Sequence, residues 1–502
     1  MSINLIRNFM KEQGLNYLLV NSTNQYLVEY CPLNENSRYK LTGFSGSTGD
    51  VLVTSDNIYL FVDGRYHIQA DLEVNHKLIT VIKLQTGENF LDELIKMIPQ
   101  NEQLGVFAKK NSQKRIEYLK SKNVLIKLLN VDPLDENIVT NESSYIEVDG
   151  VPVKDKIKNI KDTMLLTNLE EVSYLFNLRD FSHNYSSKIC AKAIIKDGNA
   201  ILLKEIDNFV KTYKGDIWVD KSTINAYDYK IIGDRVKVVE NSPLRLMKSI
   251  KTHAEIEHYK SAFERTDLAL KATRDFIYQN SDISEFDIAE ELEKNFRKFG
   301  AKNLSFKSIV AKDKNSALAH YSKCSKNEVI EDGSLVLIDC GAYYEQGLAT
   351  DITRVFVKGK PNSLQTKVYT TVLKMFLNAY NSNLHIGYDI DELARNIYAN
   401  NFIEGFEFNH GLGHGIGINV HEYPPNLSKN ELAKIEIKDG MCFTIEPGLY
   451  NEKYFGVRLE NSCYMKDGKI CSFTNMNYEK NLIDYSMLND NEKKWLDNFE
   501  VM

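Results

Sequence analysis

Two stretches of this 502-residue chain, DGSLVLIDCG at 332–341 and DGMCFTIEPG at 439–448, align without a gap. Each runs Asp-Gly, four mostly apolar residues, Ile, an acid, one residue and Gly. A short apolar run bounded by glycine reads as a buried strand, yet each copy ends on a carboxylate, Asp339 in one and Glu446 in the other. Helical patterns precede them, SEFDIAEELEKNF and GYDIDELARNIY, and a further strand with an acid follows each: Asp351 in ATDITRVF and Glu460 in GVRLENSCY. The acid-to-acid intervals are 12 and 14 residues. The last domain is therefore expected to be two related halves facing each other.

An unpaired carboxylate on a buried strand costs several kcal/mol unless a cation or hydrogen bonds compensate it. If the halves are related by a pseudo-twofold axis, all four acids converge at the interface, and two divalent cations would neutralise them. Oxygen-rich sites suit manganese, magnesium or calcium, and one added imidazole moves the preference toward manganese, iron, cobalt or zinc. That imidazole is expected from HGLGHGIGINVHEYPP, residues 410–425, which holds three of the ten histidines of the chain. His414 is assigned as the ligand, with His410 on the preceding turn if a helix starts here and His421 on an extended stretch. The glycines between them would keep the backbone close to the metals. Taken singly, an acid at a strand end is an ordinary turn residue and a histidine an ordinary core or surface residue; the ordered set of five, on a repeat, is not.

The N-terminal half carries a weaker duplication. NYLLVNSTNQYLVEY reads as a strand and a helix start, and VLVTSDNIYLFVDGRY as two strands around a turn. TMLLTNLEEVSYLFNLR and AKAIIKDGNAILLKE repeat that order, the second turning at Lys196-Asp197-Gly198. The expected organisation is α/β (α+β), with two similar α/β domains at 1–140 and 141–247 joined near VTNESSYIEVDG, and a last domain at 248–502. The helical pattern THAEIEHYKSAFERTDLALKATRDFI opens that domain, and KVYTTVLKMFLNAY reads as a core helix.

Net charge of −7 gives no support for nucleic acid or an anionic membrane as partner. No apolar run approaches the roughly 18 residues of a membrane span, and the N-terminus lacks the pattern of a signal peptide. Seven scattered cysteines without a C-x-x-C pair fit reduced thiols in a cytoplasm.

At these residues the chain resembles the pita-bread metallopeptidases, the group of methionine aminopeptidase, prolidase and Xaa-Pro aminopeptidase. Asp339, Asp351, His414, Glu446 and Glu460 match the five metal positions of that family. The resemblance implies that Asp351 and Glu460 bridge two metals, Asp339 holds one, and His414 with Glu446 holds the other. It also implies substrate-side roles for His320 in AHY, His410 and His421, and Arg458 matches an arginine of the proline-specific members. LTGFSGSTGDVLVT, FVDGRYHIQA, YLFNLRD and YEKNLIDYSMLNDNEKKWLDNF are similar to segments of the three-domain Xaa-Pro aminopeptidases, the last being a C-terminal extension that begins near 466.

What the resemblance implies is a cytoplasmic homodimer that removes the first residue from peptides with proline second. Its bridging water would be activated by two divalent ions, manganese first, with zinc, cobalt or iron as alternatives. Glu446 would shuttle the proton and His421 would stabilise the oxyanion. Three departures bear on the pocket. The Asp339–Asp351 interval is one residue longer than usual, which calls for an extra residue or bulge at a hairpin tip. The His414–His421 interval is short, as in prolidases, and Tyr423 stands where glycine is common. A prolidase is the alternative, and a non-catalytic pita-bread binding protein a further one, against which the complete ligand set weighs.

Overall fold

A computed structural model of the chain describes residues 2–85, 88–135, 144–321 and 323–499. Two compact units form, one from residues 1–145, 151–178 and 189–244, the other from 146–150, 179–188 and 245–502. The expected boundary between 140 and 141 lies outside the described residues.

The first unit holds two sheets of like topology. In the six-stranded sheet the order is Thr80–Lys83, Ile58–Val62, Asp50–Thr54, Tyr17–Val20, Gln103–Phe107, Leu125–Leu129. In the five-stranded sheet it is Asn199–Leu203, Lys192–Lys196, Met164–Leu166, Ile217–Asp220, Val236–Val239. Each has an antiparallel hairpin beside its first strand on one side and two parallel strands on the other. The sequence duplication is thus a duplication of topology, the larger sheet having one extra parallel edge strand. The Lys196-Asp197-Gly198 turn is as expected, with positive φ at Asp197 (50°) and Gly198 (71°), the pair a type I′ hairpin turn requires. The helix start expected after Tyr17–Val20 is absent, and the first helix there is Ser37–Thr42. Asp50 takes the Ser22 N–H at 3.0 Å and Asn21 shares its amide with Asp50 and Asn111, which holds this backbone out of a helix.

In the second unit two helix pairs bracket one sheet. His253–Gln279 and Glu285–Lys298 precede the first half's strands, and Ser363–Tyr380 and Gly387–Ala399 precede the second's. The first three of these helices begin in capping boxes at Thr252/Glu255, Ser284/Asp287 and Asn362/Gln365, which satisfy N–H groups the helix itself cannot. The sheet order is Ile309–Lys312, Leu335–Cys340, Ile352–Val357, Glu460–Lys466, Cys442–Ile445, Gly413–Gly415, Glu422–Leu427. The repeat strands 335–340 and 442–445 therefore flank the central antiparallel pair 352–357/460–466, as a pseudo-twofold arrangement requires.

Strand Leu335–Cys340 is buried throughout. Leu335 and Leu337 join the core built on helix Ser363–Tyr380, while Val336, Ile338 and Cys340 join the core of the first helix pair. Each large apolar side chain so buried contributes roughly 1.5–3 kcal/mol. Alternation along the strand puts Asp339 on the face of Leu335 and Leu337. The long Asp339–Asp351 hairpin keeps its register, with Cys340 opposite Ile352 and Tyr343 opposite Ala349. Its tip, Tyr344–Leu348, closes through the Gly347 N–H to Tyr344 O at 2.9 Å. The C-terminal extension packs inward, with Leu488 and Leu496 in the core and Glu492 paired to Lys374 at 3.3 Å.

Candidate metal centre

The carboxylates meet because of sheet register. Thr353 lies opposite Asp339 on one side and opposite Glu460 on the other, so the three side chains form one row on one face. Asp351 immediately precedes the central strand Ile352–Val357, and Glu446 immediately follows Cys442–Ile445. His414 sits in Gly413–Gly415, where a register shift falls between His414 and Gly415. The 410–421 segment is not a helix start as expected; it is sheet and turn, with Gly415 opposite both Phe443 and Glu422. Glycine disfavours helix and here permits close strand approach. A Cβ at Gly413 would lie 1.9 Å from Thr444 O and one at Gly417 2.3 Å from the Glu422 carboxylate. The glycines thus serve close contacts with neighbouring protein atoms.

Asp351, His414 and Glu460 offer ligand atoms within 4.8 Å of one another. His414 Nε2 is 3.6 Å from Asp351 Oδ2 and 3.4 Å from Glu446 Oε1. Its Nδ1 lies 3.0 Å from Gly415 O and so carries a proton, which turns Nε2 toward the carboxylate oxygens. Contacts at these distances call for a positive charge, either a proton on Nε2 or a cation between the groups. Two further oxygens, Asp339 Oδ1 and Glu460 Oε1, are buried and accept no hydrogen bond among the described residues. Such atoms are rare in native proteins, and a divalent cation satisfies both. The donor set therefore fits a metal.

A polar network stands behind the acids. Arg458 donates to Asp339 Oδ2 at 2.6 Å, to Tyr450 Oη at 2.7 Å and to Thr353 Oγ1 at 3.2 Å, and Thr353 donates to Glu460 Oε2 at 2.7 Å. His410 Nδ1 donates to Gly411 O at 2.7 Å, so its Nε2 accepts from Tyr450 Oη at 2.8 Å. Arg395, paired with Asp391 on helix Gly387–Ala399, holds the His410 carbonyl at 2.6 Å. His421 stacks edge to face on His414 with ring centroids 4.4 Å apart. His320 is half-buried in the turn after Asp313–Ala317, beside Tyr321, whose hydroxyl donates to Glu285 at 2.7 Å. Tyr450 and Thr353 were missed from the sequence. A tyrosine two residues beyond a glycine and a threonine inside an apolar strand carry no motif, and only the Arg458 partnership reveals them.

Burial raises the Asp351 carboxyl well above its ordinary range, and the charges of Glu460, Asp339 and Glu446 add to it. Glu460 is raised in the same way. Glu446 is pushed up to about 7, by burial first, with Arg458 opposing and Asp339 adding. Arg458 stays charged, because Tyr450, Asp339 and Glu446 outweigh its burial.

These directions set a pH test. A carboxyl whose folded pKa is raised stabilises the metal-free fold fully below its ordinary 4.5, and that stability is lost as pH rises through about 7. A bound cation displaces those protons, so the loaded protein escapes the loss. The rise in Tm on adding manganese to chelator-stripped protein is expected to be several degrees larger at pH 7.5 than at pH 5.5. An equal rise at both pH values in scanning calorimetry would refute proton–metal competition at this cluster.

Comparison with known proteins follows the same lines. Residues 257–467 match metallopeptidase family M24, and residues 3–138 the creatinase/prolidase N-terminal domain. The chain is 26% identical to a probable Xaa-Pro aminopeptidase P of Coprinopsis cinerea, over 98% of this chain and 93% of that protein. It is 27% identical to Xaa-Pro aminopeptidase 1 of Dictyostelium discoideum, over 98% and 91%. Its fold superposes with a TM-score of 0.87 on the X-prolyl aminopeptidase of Caenorhabditis elegans, at 22% identity and over 96% and 90% of the two chains. That protein is described as a cytosolic enzyme with a di-nuclear active site. The later part of the chain thus matches metallopeptidase family M24, behind a stretch that matches the creatinase/prolidase N-terminal domain.

Proposed function

We propose that this protein is a metal-dependent aminopeptidase that hydrolyses the bond between the first residue of a peptide and a proline in second position. The observation that carries the chemistry is the convergence of buried Asp339, Asp351 and Glu460 and half-buried Glu446 around the His414 imidazole, with orphaned oxygens on Asp339 and Glu460. The relatives named above, aligned over nearly the whole chain, support the proline specificity.

Asp339, Asp351, His414, Glu446 and Glu460 would hold two divalent ions, Asp351 and Glu460 serving both. Manganese suits this oxygen-rich set with one imidazole, with zinc, cobalt or iron as alternatives. Bound there, the ions would supply Lewis-acid activation of water and of the scissile carbonyl. Glu446, whose Oε1 lies 3.4 Å from His414 Nε2 at the edge of the cluster, can take a proton from the attacking water and return it to the leaving proline nitrogen. His421, stacked on His414, donates to the carbonyl oxygen as it becomes anionic. His320 and His410 position the peptide on the proline side, His410 oriented by Tyr450 and Arg458. The proline nitrogen of the scissile bond has no proton, so a site that requires no donor there can select it.

We further propose the division 1–140, 141–247 and 248–502, supported by a separate sheet in each part, and a homodimer in the cytoplasm. Free cysteines and the cytosolic description of the C. elegans protein support that compartment. Among the described residues no helix is long and apolar enough to cross a membrane.

The test is hydrolysis of Arg-Pro-Pro and Arg-Pro side by side, with manganese and then with a chelator. Release of arginine from the tripeptide, stopped by chelation, is expected. Cleavage of the dipeptide alone would make the protein a prolidase, and inertness toward both with two metals bound would remove proline specificity.

A further inference from the structure

Glu422 directly follows His421 and is buried, as are Lys248 and Lys251. Its Oε2 lies 3.0 Å from Lys248 Nζ and 3.2 Å from Lys251 Nζ. Its Oε1 accepts the Ile418 N–H at 2.7 Å and the Asn419 N–H at 3.4 Å. The turn is closed from inside as well, by the Gly417 N–H to Asn419 O at 3.0 Å and the Asn419 side chain to His421 O at 2.9 Å. Gly417 is bare of a Cβ where the carboxylate packs on it. Glu422 also lies opposite Gly415, at the register shift beside His414.

A buried ion cluster is weak as a source of stability, since desolvation offsets most of the attraction. It is strong as a geometric constraint, because each charge is tied to its counter-ion and the donors it needs. Here the constraint falls on the five residues that lead from Gly417 to His421, the last of which carries the imidazole beside His414. We propose that Glu422 is a positioning residue: anchored by Lys248 and Lys251, it clamps the 417–422 turn and so fixes the direction of the His421 imidazole beside His414. The proposal rests on the reading of His421 as the donor to the developing oxyanion.

Glu422→Asp keeps the charge but shortens its reach, so it cannot hold both the lysines and the Ile418 amide. For this variant kcat on Arg-Pro-Pro is expected to fall about 10- to 100-fold, the range for supporting residues around a metal site. KM and metal content should stay near wild type, while amide exchange at Ile418 and Asn419 quickens about tenfold or more. A companion Lys248→Met/Lys251→Met/Glu422→Gln variant removes the buried charges together; it should regain thermal stability yet keep the kcat deficit. Wild-type kcat with unchanged exchange in either variant overturns the proposal. His421→Ala, run alongside, separates the two readings. If it retains wild-type kcat, the oxyanion role of His421 fails, and the exchange data alone decide whether Glu422 clamps the turn.

Discussion

Asparagine in place of Asp351 is expected to abolish hydrolysis and metal binding together while making the metal-free protein more stable. Asp351 is one of three groups whose ligand atoms lie within 4.8 Å, and the amide that replaces its carboxylate offers a cation no charge. Metal ions contribute several kcal/mol to transition-state stabilisation in such sites, and about 4 kcal/mol is already about a thousandfold in rate. The stability arm has the opposite sign. Without metal, Asp351 is a buried acid facing Glu460, Asp339 and Glu446, and removing its charge relieves that repulsion. With metal at about a hundred times its Kd, wild-type protein gains about 2.7 kcal/mol, or about 5–10 °C in a unit of this size. The variant should show no such increment. Metal analysis, a Tm pair with and without manganese, and a peptide assay check all three; a metal-loaded, active Asp351→Asn protein would sink the ligand assignment.

His421→Ala should separate catalysis from metal binding. Its ring packs against His414, whose own Nδ1 donates to Gly415 O and whose backbone N–H donates to the Thr444 hydroxyl. Metal content should therefore stay near wild type. Loss of one preorganised oxyanion donor is expected to lower kcat about 10²- to 10³-fold with little change in KM. His421→Gln, which restores an N–H donor, should recover part of the loss. Equal losses in metal content and activity would instead make His421 a support of the ligand set.

The two experiments probe different layers of one arrangement, and those layers were not equally legible in the sequence. The acids stood out because an apolar strand ending on a carboxylate is costly, and because the DG-to-G repeat placed two of them identically. The paired sheets of the first unit were legible as strand, helix and hairpin order, a local signal. The helix start after Tyr17–Val20 misread a stretch whose backbone is held by Asp50, 28 residues further on. The helix start at His410 failed for a similar reason, since the glycines there answer to strands 442–445 and 422–427. Tyr450 escaped notice because its partners, His410 and Arg458, lie 40 residues before it and 8 after.

By itself, then, the sequence singled out candidates for the chemistry: four acids on a repeated pattern with His414, to which the family resemblance added His320, His410, His421 and Arg458. The acids themselves are readable position by position, because a carboxylate ending an apolar strand is costly to bury. Only the tertiary structure decided how they act together. The register that rows Asp339, Thr353 and Glu460, the Arg458–Tyr450–His410 relay and the lysine-anchored clamp at Glu422 all depend on which strands become neighbours. Neighbour choice is set by packing across long sequence separations, and that information is not carried by any one stretch of the chain.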